Sequence, residues 1–251
     1  MTSILVTGGA GYVGSVSVAA LLEAGHAVVV MDDLTTGHRA AVTDGATLVV
    51  GDYGDRATVE RLLLEHRVEA ILHCGARSIV GESIRDPGRY YRDNVAGGVA
   101  LLDAAIAAGV ERLVFSSTAA VYGSPESTPI PEDAPLRPIN PYGETKRALQ
   151  GALGWYGRAY GLRSVSLRYF NVAGATDALG EVHEPETHLI PVILGAVEAG
   201  RPVTVFGDDY PTPDGTCIRD YIDVSDLADA HLRAIEATAE GDRRTAGGAL
   251  A

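Results

Sequence analysis

The amino-acid sequence predicts an α/β fold built on a doubly wound parallel β-sheet. Over the first 170 residues, short apolar segments alternate with longer segments of helical pattern. Most of the apolar segments are nearly continuous, which is typical of strands buried on both faces. Repetition of strand, helix and strand places helices on both faces of a parallel sheet, and this repetition is the basis of the predicted fold class.

Six strands and four helices make up this alternation. The expected strands are Ile4–Val6, Ala27–Met31, Leu48–Val50, Ala70–His73, Arg112–Phe115 and Ser164–Arg168. The expected helices are Tyr12–Ala24, Asp55–His66, Pro87–Ala108 and Pro141–Tyr160.

The pattern changes after Asn171, where prolines and loops become frequent. We interpret residues 171–221 as a second, smaller region that is rich in loops. Ile222–Val224, followed by a helix from Asp226 to about Glu236, is interpreted as a return to the sheet over residues 222–240. Residues 241–251 are small and polar and are expected to form a frayed end.

Composition excludes several classes of function. The chain has 251 residues and a net charge of −13, which argues against a nucleic-acid partner or an anionic membrane, since both bind basic surfaces. No apolar run is long enough to cross a bilayer and no leader pattern precedes Gly8, so we expect a cytoplasmic protein. The two cysteines, Cys74 and Cys217, are interpreted as reduced thiols.

A glycine-rich turn follows the first strand directly. Gly8, Gly11 and Gly14 allow a sharp turn, backbone contact with a pyrophosphate and close packing of the helix on the strand. Asp32 ends the second strand about 20 residues further on, where a carboxylate binds the adenosine ribose hydroxyls. Because this carboxylate would repel a 2′-phosphate, the sequence favours NAD over NADP. Arg39 is the one nearby residue that would favour NADP.

The end of the third strand extends the same site. Asp52 and Tyr53 are placed to meet the adenine, and the Asp52 carboxylate can accept a hydrogen bond from its amino group. Together with the glycine turn, these positions identify residues 1–170 as a dinucleotide-binding domain of the Rossmann type.

Tyr142 and Lys146 lie four residues apart and therefore on one face of the fourth helix. A free tyrosine has a pKa near ~10, but a neighbouring lysine and a positive nicotinamide ring both favour the phenolate. Tyr142 would then be a usable proton acceptor. Ser116–Thr118 follow the fifth strand and bring hydroxyls to the edge of the sheet where chemistry is expected. Thr118, Tyr142 and Lys146 are the candidate catalytic residues.

Several motifs together carry a resemblance to a known family. They are Val6–Gly14, His73–Ser83, Phe115–Gly123, Asn140–Lys146, Leu167–Asn171, Phe206–Tyr210 and Gly215–Tyr221. On these residues the chain resembles the extended short-chain dehydrogenase/reductase family and, within it, the UDP-glucose (UDP-galactose) 4-epimerases. The motifs are spread over nearly the whole chain, and the last one is quite specific to this type of enzyme.

The resemblance implies two sets of binding residues. Those implied for NAD are Gly8, Gly11, Tyr12, Val13, Gly14, Asp32, Asp33, Leu34, Gly37, Asp52, Tyr53, Cys74, Gly75, Ala76, Ser78, Asn94, Ser116, Thr118, Tyr142, Lys146, Tyr169 and Phe170. Those implied for the UDP-sugar are Thr118, Tyr142, Asn171, His188, Leu189, Thr204, Val205, Phe206 and Arg219. A guanidinium such as that of Arg219 also suits a pyrophosphate on chemical grounds.

The activity that the resemblance implies is reversible epimerisation of UDP-glucose and UDP-galactose at C4 through a 4-keto intermediate. Tyr142 would take the proton of the sugar 4-hydroxyl while a hydride leaves C4. The hydride would then return to the other face of the sugar, so that NAD stays bound. Related dehydratases carry an Asp-Glu pair after the strand-five threonine. Ala119 and Ala120 stand there in this chain, which disfavours dehydration.

The chain also departs from the family pattern. Family members usually continue for several dozen residues beyond Ala251, so a chain truncated at the C-terminus and a partial substrate-binding region at 171–221 are expected. A lysine is common in relatives near Arg77–Ser78, and an asparagine at His188. Two alternatives stay open, namely an NAD-binding remnant with little or no epimerase activity and an epimerase for another nucleotide sugar.

The sequence predicts no metal site, because no second ligand lies at helical spacing from His188 and His183 has the character of a loop residue. The resemblance implies a homodimer formed through the helices Pro87–Ala108 and Pro141–Tyr160. These helices carry four aromatic residues, Tyr90, Tyr91, Trp155 and Tyr156. The alternative is that the apolar faces of both helices only cover the sheet.

Overall fold

The computed structural model describes residues 1–184 and 186–239 and the backbone of Ala249–Leu250. Six parallel strands form most of its main sheet, in the order β3-β2-β1-β4-β5-β6. They are β1 (Ser3–Thr7), β2 (Ala27–Asp32), β3 (Thr47–Val50), β4 (Ala70–His73), β5 (Arg112–Ser116) and β6 (Arg163–Leu167). The six strands and the fold class predicted from the sequence are confirmed, with strand ends within one residue of their predicted positions.

Helices cover both faces of this sheet. The helices on these faces are α1 (Tyr12–Glu23), α2 (Arg56–Glu65), α5 (Gly97–Ala107), α6 (Pro141–Tyr160) and α8 (Val224–Ala239). The described residues also form α3 (Val80–Arg85), α4 (Pro87–Tyr90) and α7 (Leu189–Glu198). One apolar core, which includes Leu63, Leu101 and Phe115, lies under α2, α5 and α6. The other, which includes Leu21 and Ile235, lies under α1 and α8.

Local sequence explains the ends of α6, the longest helix of the part that the structure describes. Asn140 caps its first turn by accepting a 2.8 Å hydrogen bond from the Gly143 amide, and Pro141 takes the first helical position, where no amide donor is needed. Gly161 ends the helix with a left-handed φ of 79°, which favours glycine.

The helix expected over Pro87–Ala108 is present with a change of geometry in its middle. Between α4 and α5 the residues Tyr91–Ala96 form a π turn, and α3 precedes the segment as a separate short helix. A π turn inserts one extra residue per turn and is frequent near functional sites. It places Asn94 in the protein interior.

The segment after α6 differs from the expectation. β7 (Asn171–Ala173) pairs in parallel with β8 (Tyr221–Asp223) in a separate two-stranded sheet. The predicted return of Ile222–Val224 to the main sheet is therefore wrong for the strand, because Ile222 pairs with Val172 instead. The helix α8 does return, since it packs against α1 and β5.

The described part of the tail is also not frayed. Residues 240–248 and 251 lie outside the described residues. The backbone of β9 (Ala249–Leu250) pairs in parallel with Ser166 and Leu167 of β6 and extends the main sheet at that edge. An edge strand offers unpaired amides and carbonyls, which explains why a short segment adds there. In the part of the chain that the structure describes, no helix combines the length and apolarity needed to cross a bilayer.

Candidate active site

The glycine turn lies where the order of the strands reverses, between β1 and β4. Gly8 has a φ of 70°, and a Cβ atom there would lie 2.6 Å from the Gly75 nitrogen in the loop after β4. A Cβ at Gly14 would meet the Gly8 backbone in the same way. Gly11 precedes α1 without a side-chain cap, so the first-turn amides and the positive end of the helix dipole face the turn. The glycine turn and the first-turn amides of α1 together form a cradle that fits a pyrophosphate.

Tyr12 and Val13 are the first two residues of α1. The Tyr12 hydroxyl donates a 2.6 Å hydrogen bond to the Gly174 carbonyl oxygen, just after β7. The turn is therefore tied through Tyr12 to the segment that was predicted to bind substrate.

Asp32 organises the loop after β2. Its buried carboxylate accepts hydrogen bonds from the Ala10 amide at 3.0 Å and from the Leu34 amide at 2.9 Å. A Cβ at Gly37 would lie 2.8 Å from one of its oxygens, so glycine is needed there. A carboxylate has about four acceptor sites, which leaves capacity for the hydroxyls of a ribose. Asp33 beside it accepts from the Thr35 amide at 2.8 Å.

The loop after β3 lies against the loop after β4. The Tyr53 ring packs on Gly75, where a Cβ would lie 3.0 Å from the ring, and its hydroxyl donates a 2.9 Å bond to the Asp93 carbonyl oxygen. Asp52 accepts a 2.7 Å bond from the Gly54 amide. Both predicted adenine-binding residues thus lie at the same edge of the sheet as the glycine turn.

Two residues to which the sequence assigned no role support the floor of this site. The Thr7 hydroxyl and His73 Nδ1 are joined by a 2.7 Å hydrogen bond between the ends of β1 and β4. His73 stacks on Phe115, and burial, followed by the Lys146 charge, lowers its pKa to about 3. His73 is therefore neutral at physiological pH. The signal in the sequence that could have identified this pair is a polar residue at the end of each of these two central strands.

Asn94 connects the loop after β4 to α6. Its amide oxygen accepts from the Arg77 amide at 2.8 Å, and its amide nitrogen donates to the Arg77 carbonyl oxygen at 3.0 Å and to the Thr145 hydroxyl at 3.1 Å. The Arg77 guanidinium pairs with Asp93 at 2.5 Å. Asn94 thereby holds the loop that carries the candidate cofactor residues Cys74, Gly75, Ala76 and Ser78.

The structure brings the three candidate catalytic residues together. Thr118 caps the short 3-10 helix Ala119–Tyr122, where its hydroxyl accepts a 3.1 Å bond from the Ala120 amide, and it lies close enough to the Tyr142 phenol to lower the phenol's pKa. The Lys146 ammonium lies one helical turn beyond Tyr142, 5.9 Å from the centre of its ring. All three lie at the carboxyl end of β5.

Burial dominates the electrostatics of this group. It raises the pKa of Tyr142 to about 12, opposed by the hydrogen bond with Thr118, and it lowers the pKa of Lys146 to about 8. The expectation that the lysine lowers the tyrosine pKa is thus outweighed, since removing a phenolate from water costs more. A phenolate at neutral pH requires a further positive charge beside the ring, which an oxidised nicotinamide carries.

Ser116 and Tyr169 connect two segments at the edge of the site. The Ser116 hydroxyl is hydrogen-bonded to the Tyr169 hydroxyl, which joins the end of β5 to the segment after β6. Burial raises the pKa of the neighbouring Cys74 thiol to about 11, so this cysteine is an unreactive thiol. Phe170, the next residue, is partly exposed.

The residues predicted to bind the UDP portion lie on two segments beyond the sheet. The Asn171 side chain donates a 2.9 Å bond to the Asp220 carbonyl oxygen, which brings the neighbouring Arg219 near the start of β7. The exposed Arg219 side chain donates to the Ile218 carbonyl oxygen at 2.8 Å.

The second segment surrounds α7. His188 precedes this helix, Leu189 is its first residue and is exposed, and Thr204–Phe206 lie in a loop in which Phe206 is 99% exposed. Among the described residues, no hydrogen bond or ion pair joins Arg219 or this second segment to the Thr118–Tyr142–Lys146 group. The structure therefore assembles the predicted catalytic residues, and the predicted UDP residues lie on segments that make no direct bond to them.

Comparisons with known proteins agree with this geometry. Residues 4–246 match the model of the NAD dependent epimerase/dehydratase family. The chain is 52% identical over 242 residues to a UDP-glucose 4-epimerase from Corynebacterium glutamicum, which covers 96% of this chain and 73% of that protein.

Solved structures give the same result. The crystal structure of UDP-glucose 4-epimerase from Brucella ovis in complex with NAD is 47% identical with a TM-score of 0.93, and it covers all of this chain and 76% of that one. The UDP-glucose 4-epimerase from Bifidobacterium longum in complex with NAD⁺ and UDP is 34% identical with a TM-score of 0.87, covering 94% of this chain and 74% of that one.

Proposed function

The chain belongs to the NAD dependent epimerase/dehydratase family, and we propose that it is an NAD-dependent UDP-glucose 4-epimerase. The observation that carries this proposal is the placement of Thr118, Tyr142 and Lys146 at the sheet edge that also carries the glycine turn. The similarity to UDP-glucose 4-epimerases over more than nine tenths of the chain supports the same conclusion.

The residues of the cradle fit NAD. Gly8, Gly11 and Gly14 would hold the pyrophosphate against the start of α1, and Asp32 would accept from the adenosine ribose. The buried Asp32 carboxylate disfavours a 2′-phosphate, which supports NAD over NADP. When bound, NAD supplies the acceptor and donor of the hydride at sugar C4.

The protein's own residues handle the proton. Tyr142 would accept the proton of the sugar 4-hydroxyl and return it, and Thr118 would bridge that hydroxyl and the phenol. The side-chain amine of Lys146 lies near the Tyr142 phenol, where it can act as a positive charge or as a hydrogen-bond donor. Ala119 and Ala120, which follow Thr118, have no group able to eliminate water, so the keto sugar would be reduced again rather than dehydrated.

The proposal also covers the residues that bind the UDP portion of the substrate and the division of the chain into two regions. Asn171, His188, Leu189, Thr204–Phe206 and Arg219 would hold the UDP. The segment 171–221 would be the substrate-binding region, and β8 (Tyr221–Asp223) pairs with it through β7. Residues 1–170 with α8 (Val224–Ala239) would form the dinucleotide-binding domain.

We propose a homodimer formed through the exposed faces of the two predicted helices. Tyr91 is 43% exposed and Trp155 is 65% exposed, which supports a partner at this surface. Tyr90 does not contribute, because it is fully buried and donates a 2.7 Å hydrogen bond to the Ile79 carbonyl oxygen. Tyr156 instead donates to Asp103 at 2.5 Å. The cytoplasmic location stays a prediction.

Two measurements on purified protein test the function. Nucleotides extracted from denatured protein and separated by chromatography should contain NAD. Addition of UDP-galactose should then produce UDP-glucose, detected by a coupled assay. Bound NAD without conversion of UDP-galactose to UDP-glucose would indicate an NAD-binding remnant with little or no epimerase activity. Bound NADP would contradict the role of Asp32.

A further inference from the structure

Four side chains that commonly bind metals meet in the segment between β7 and α7. They are Glu181, His183, Glu186 and His188, and one nitrogen or oxygen atom from each lies within 4.8 Å of the other three. The segment was expected to contain no metal ligands because its histidines lack helical spacing. In a loop, however, ligands spaced two and three residues apart can converge without a helix.

The separations match the size of a tetrahedral site. A zinc ion lies about 2.0–2.2 Å from nitrogen and oxygen ligands, so two ligands of a tetrahedron are about 3.3–3.6 Å apart. His183 Nδ1 is 3.2 Å from Glu181 and 3.9 Å from Glu186, and His188 Nδ1 is 3.5 Å from Glu186. The His188–Glu181 pair is closer than this. The two histidines face different oxygens of Glu186, and one atom from each residue lies within 4.8 Å of the other three, so side-chain rotations would be needed to bring four ligand atoms to the tetrahedral spacing.

Hydrogen bonding leaves one of these atoms unsatisfied. The same Glu181 oxygen faces Nδ1 of both histidines. His183 Nδ1 is buried and, among the described residues, has no partner in hydrogen-bonding geometry. A buried imidazole nitrogen aimed at carboxylates without a proper hydrogen bond is the arrangement that a metal ion satisfies.

The negative charge of the cluster also favours a bound metal ion. The Glu181 side chain is 8% exposed and the Glu186 side chain is 24% exposed, so two carboxylates lie close together with limited hydration. The two imidazoles balance this negative charge only when they are protonated, whereas a divalent cation would supply two positive charges at once.

We propose that Glu181, His183, Glu186 and His188 form a structural zinc site. Two imidazoles with two carboxylates suit zinc better than magnesium or calcium, which prefer oxygen ligands alone. Four protein ligands leave no open position, which is typical of a structural site rather than a catalytic one. The site is separate from the hydride chemistry, but it shares His188 with the set of residues proposed to hold the UDP, so it touches the proposed function at that one residue.

The position of the loop indicates what the metal stabilises. His38 Nε2, in the loop after β2, lies 3.4 Å from the Val182 carbonyl oxygen. Tyr12 at the start of α1 is bonded to Gly174 in the same connection. His188 directly precedes α7. A bound metal would therefore fix the connection from β7 to α7 where it lies over the glycine turn.

Zinc titration of the full chain, with any affinity tag removed, tests the proposal. The protein is first treated with a chelator and dialysed, and zinc is then titrated in competition with a chromophoric chelator. Wild type should bind one zinc per chain. His183→Gln and Glu181→Gln should each weaken binding by more than about 100-fold, the upper range for losing even an outer-shell partner. His66→Gln, which changes a histidine at the end of α2, should bind like wild type.

Cobalt substitution gives a second readout that does not depend on affinity. Co²⁺ in the wild-type site should show the intense visible absorption of a four-coordinate ion, and His183→Gln should lose it while keeping a wild-type circular dichroism spectrum. Absence of stoichiometric zinc binding in the wild type would overturn the proposal. Equal affinity in wild type and His183→Gln would overturn it as well.

Discussion

The Lys146 ammonium donates a 2.8 Å hydrogen bond to the Ser116 carbonyl oxygen. This bond joins α6 to the carboxyl end of β5, and the ammonium also lies 4.8 Å from the centre of the Phe115 ring. The lysine is therefore held by the sheet, independently of the Tyr142 phenol. Its buried position has a measurable consequence for stability, because burial disfavours the charged form.

Replacing Lys146 by Met should change how stability depends on pH. Burial lowers the pKa of Lys146 to about 8 from its usual 10.5. Between these values the unfolded chain binds a proton that the folded chain does not, so the wild-type free energy of unfolding rises with pH, by on the order of 3 kcal/mol from this group. Lys146→Met should lack that part of the rise. Urea unfolding of both proteins at the two ends of this window measures it, and an identical pH response would contradict the burial argument.

Replacing Tyr142 by Phe should abolish most epimerisation and leave bound NAD unchanged. The change removes only the hydroxyl, and a general base typically contributes about 10²–10⁴-fold to the rate. The coupled assay with UDP-galactose measures the rate, and chromatography of extracted nucleotide measures NAD. Tyr160→Phe, at an exposed position in the same helix, is the matched control and should keep full activity. Near wild-type turnover in Tyr142→Phe would show that another group accepts the proton.

Replacing Asn94 by Ala should destabilise the fold and weaken NAD retention together. Arg77 loses both hydrogen bonds to its backbone, and Thr145 loses one to its hydroxyl. Buried groups left without partners cost about 1–3 kcal/mol each, so the free energy of unfolding should fall by at least that amount. Thr145→Ser keeps the hydroxyl and should retain NAD like wild type, with a loss of about 1 kcal/mol of stability for the buried methyl group. Urea unfolding and NAD content are the two readouts, and NAD retention equal to wild type in Asn94→Ala would exclude this positioning role.

Replacing Trp155 by Glu should convert the dimer to a monomer. Trp155 is exposed on α6, and a charge there would be buried without a partner in the proposed interface. Leu64→Glu places the same charge at an exposed apolar position on α2 and should remain dimeric. Light scattering of wild type, Trp155→Glu and Leu64→Glu measures the oligomeric state of each protein. A monomeric wild type, or a dimeric Trp155→Glu, would contradict the proposed interface.

Much of the framework could be predicted because its signals are local. Continuous apolar runs such as Ala70–His73 fix buried strands, and the turn at Gly8 follows from the strict need for a residue without a Cβ. Tyr142 and Lys146 share a helix face by spacing alone, and the structure keeps that geometry. These features depend on neighbours within a few residues, which a sequence displays directly.

The features that were missed depend on long-range contacts. Ile222 has the pattern of a strand, but which strand it pairs with is decided by Val172, 50 residues away. The burial of Tyr90 follows from a partner in the preceding loop. The cluster of Glu181, His183, Glu186 and His188 arises from loop geometry, which has no periodic signature.

The central claim is tested most directly by following the reaction from both sides without added cofactor. Purified protein is incubated with UDP-galactose in one sample and with UDP-glucose in another, and both nucleotide sugars are quantified by chromatography over time. An enzyme that carries its own NAD and returns the hydride to the sugar it came from should bring both samples to the same ratio, with no net NADH. Two samples that remain unchanged, or a conversion that forms NADH in proportion to product, would contradict the account.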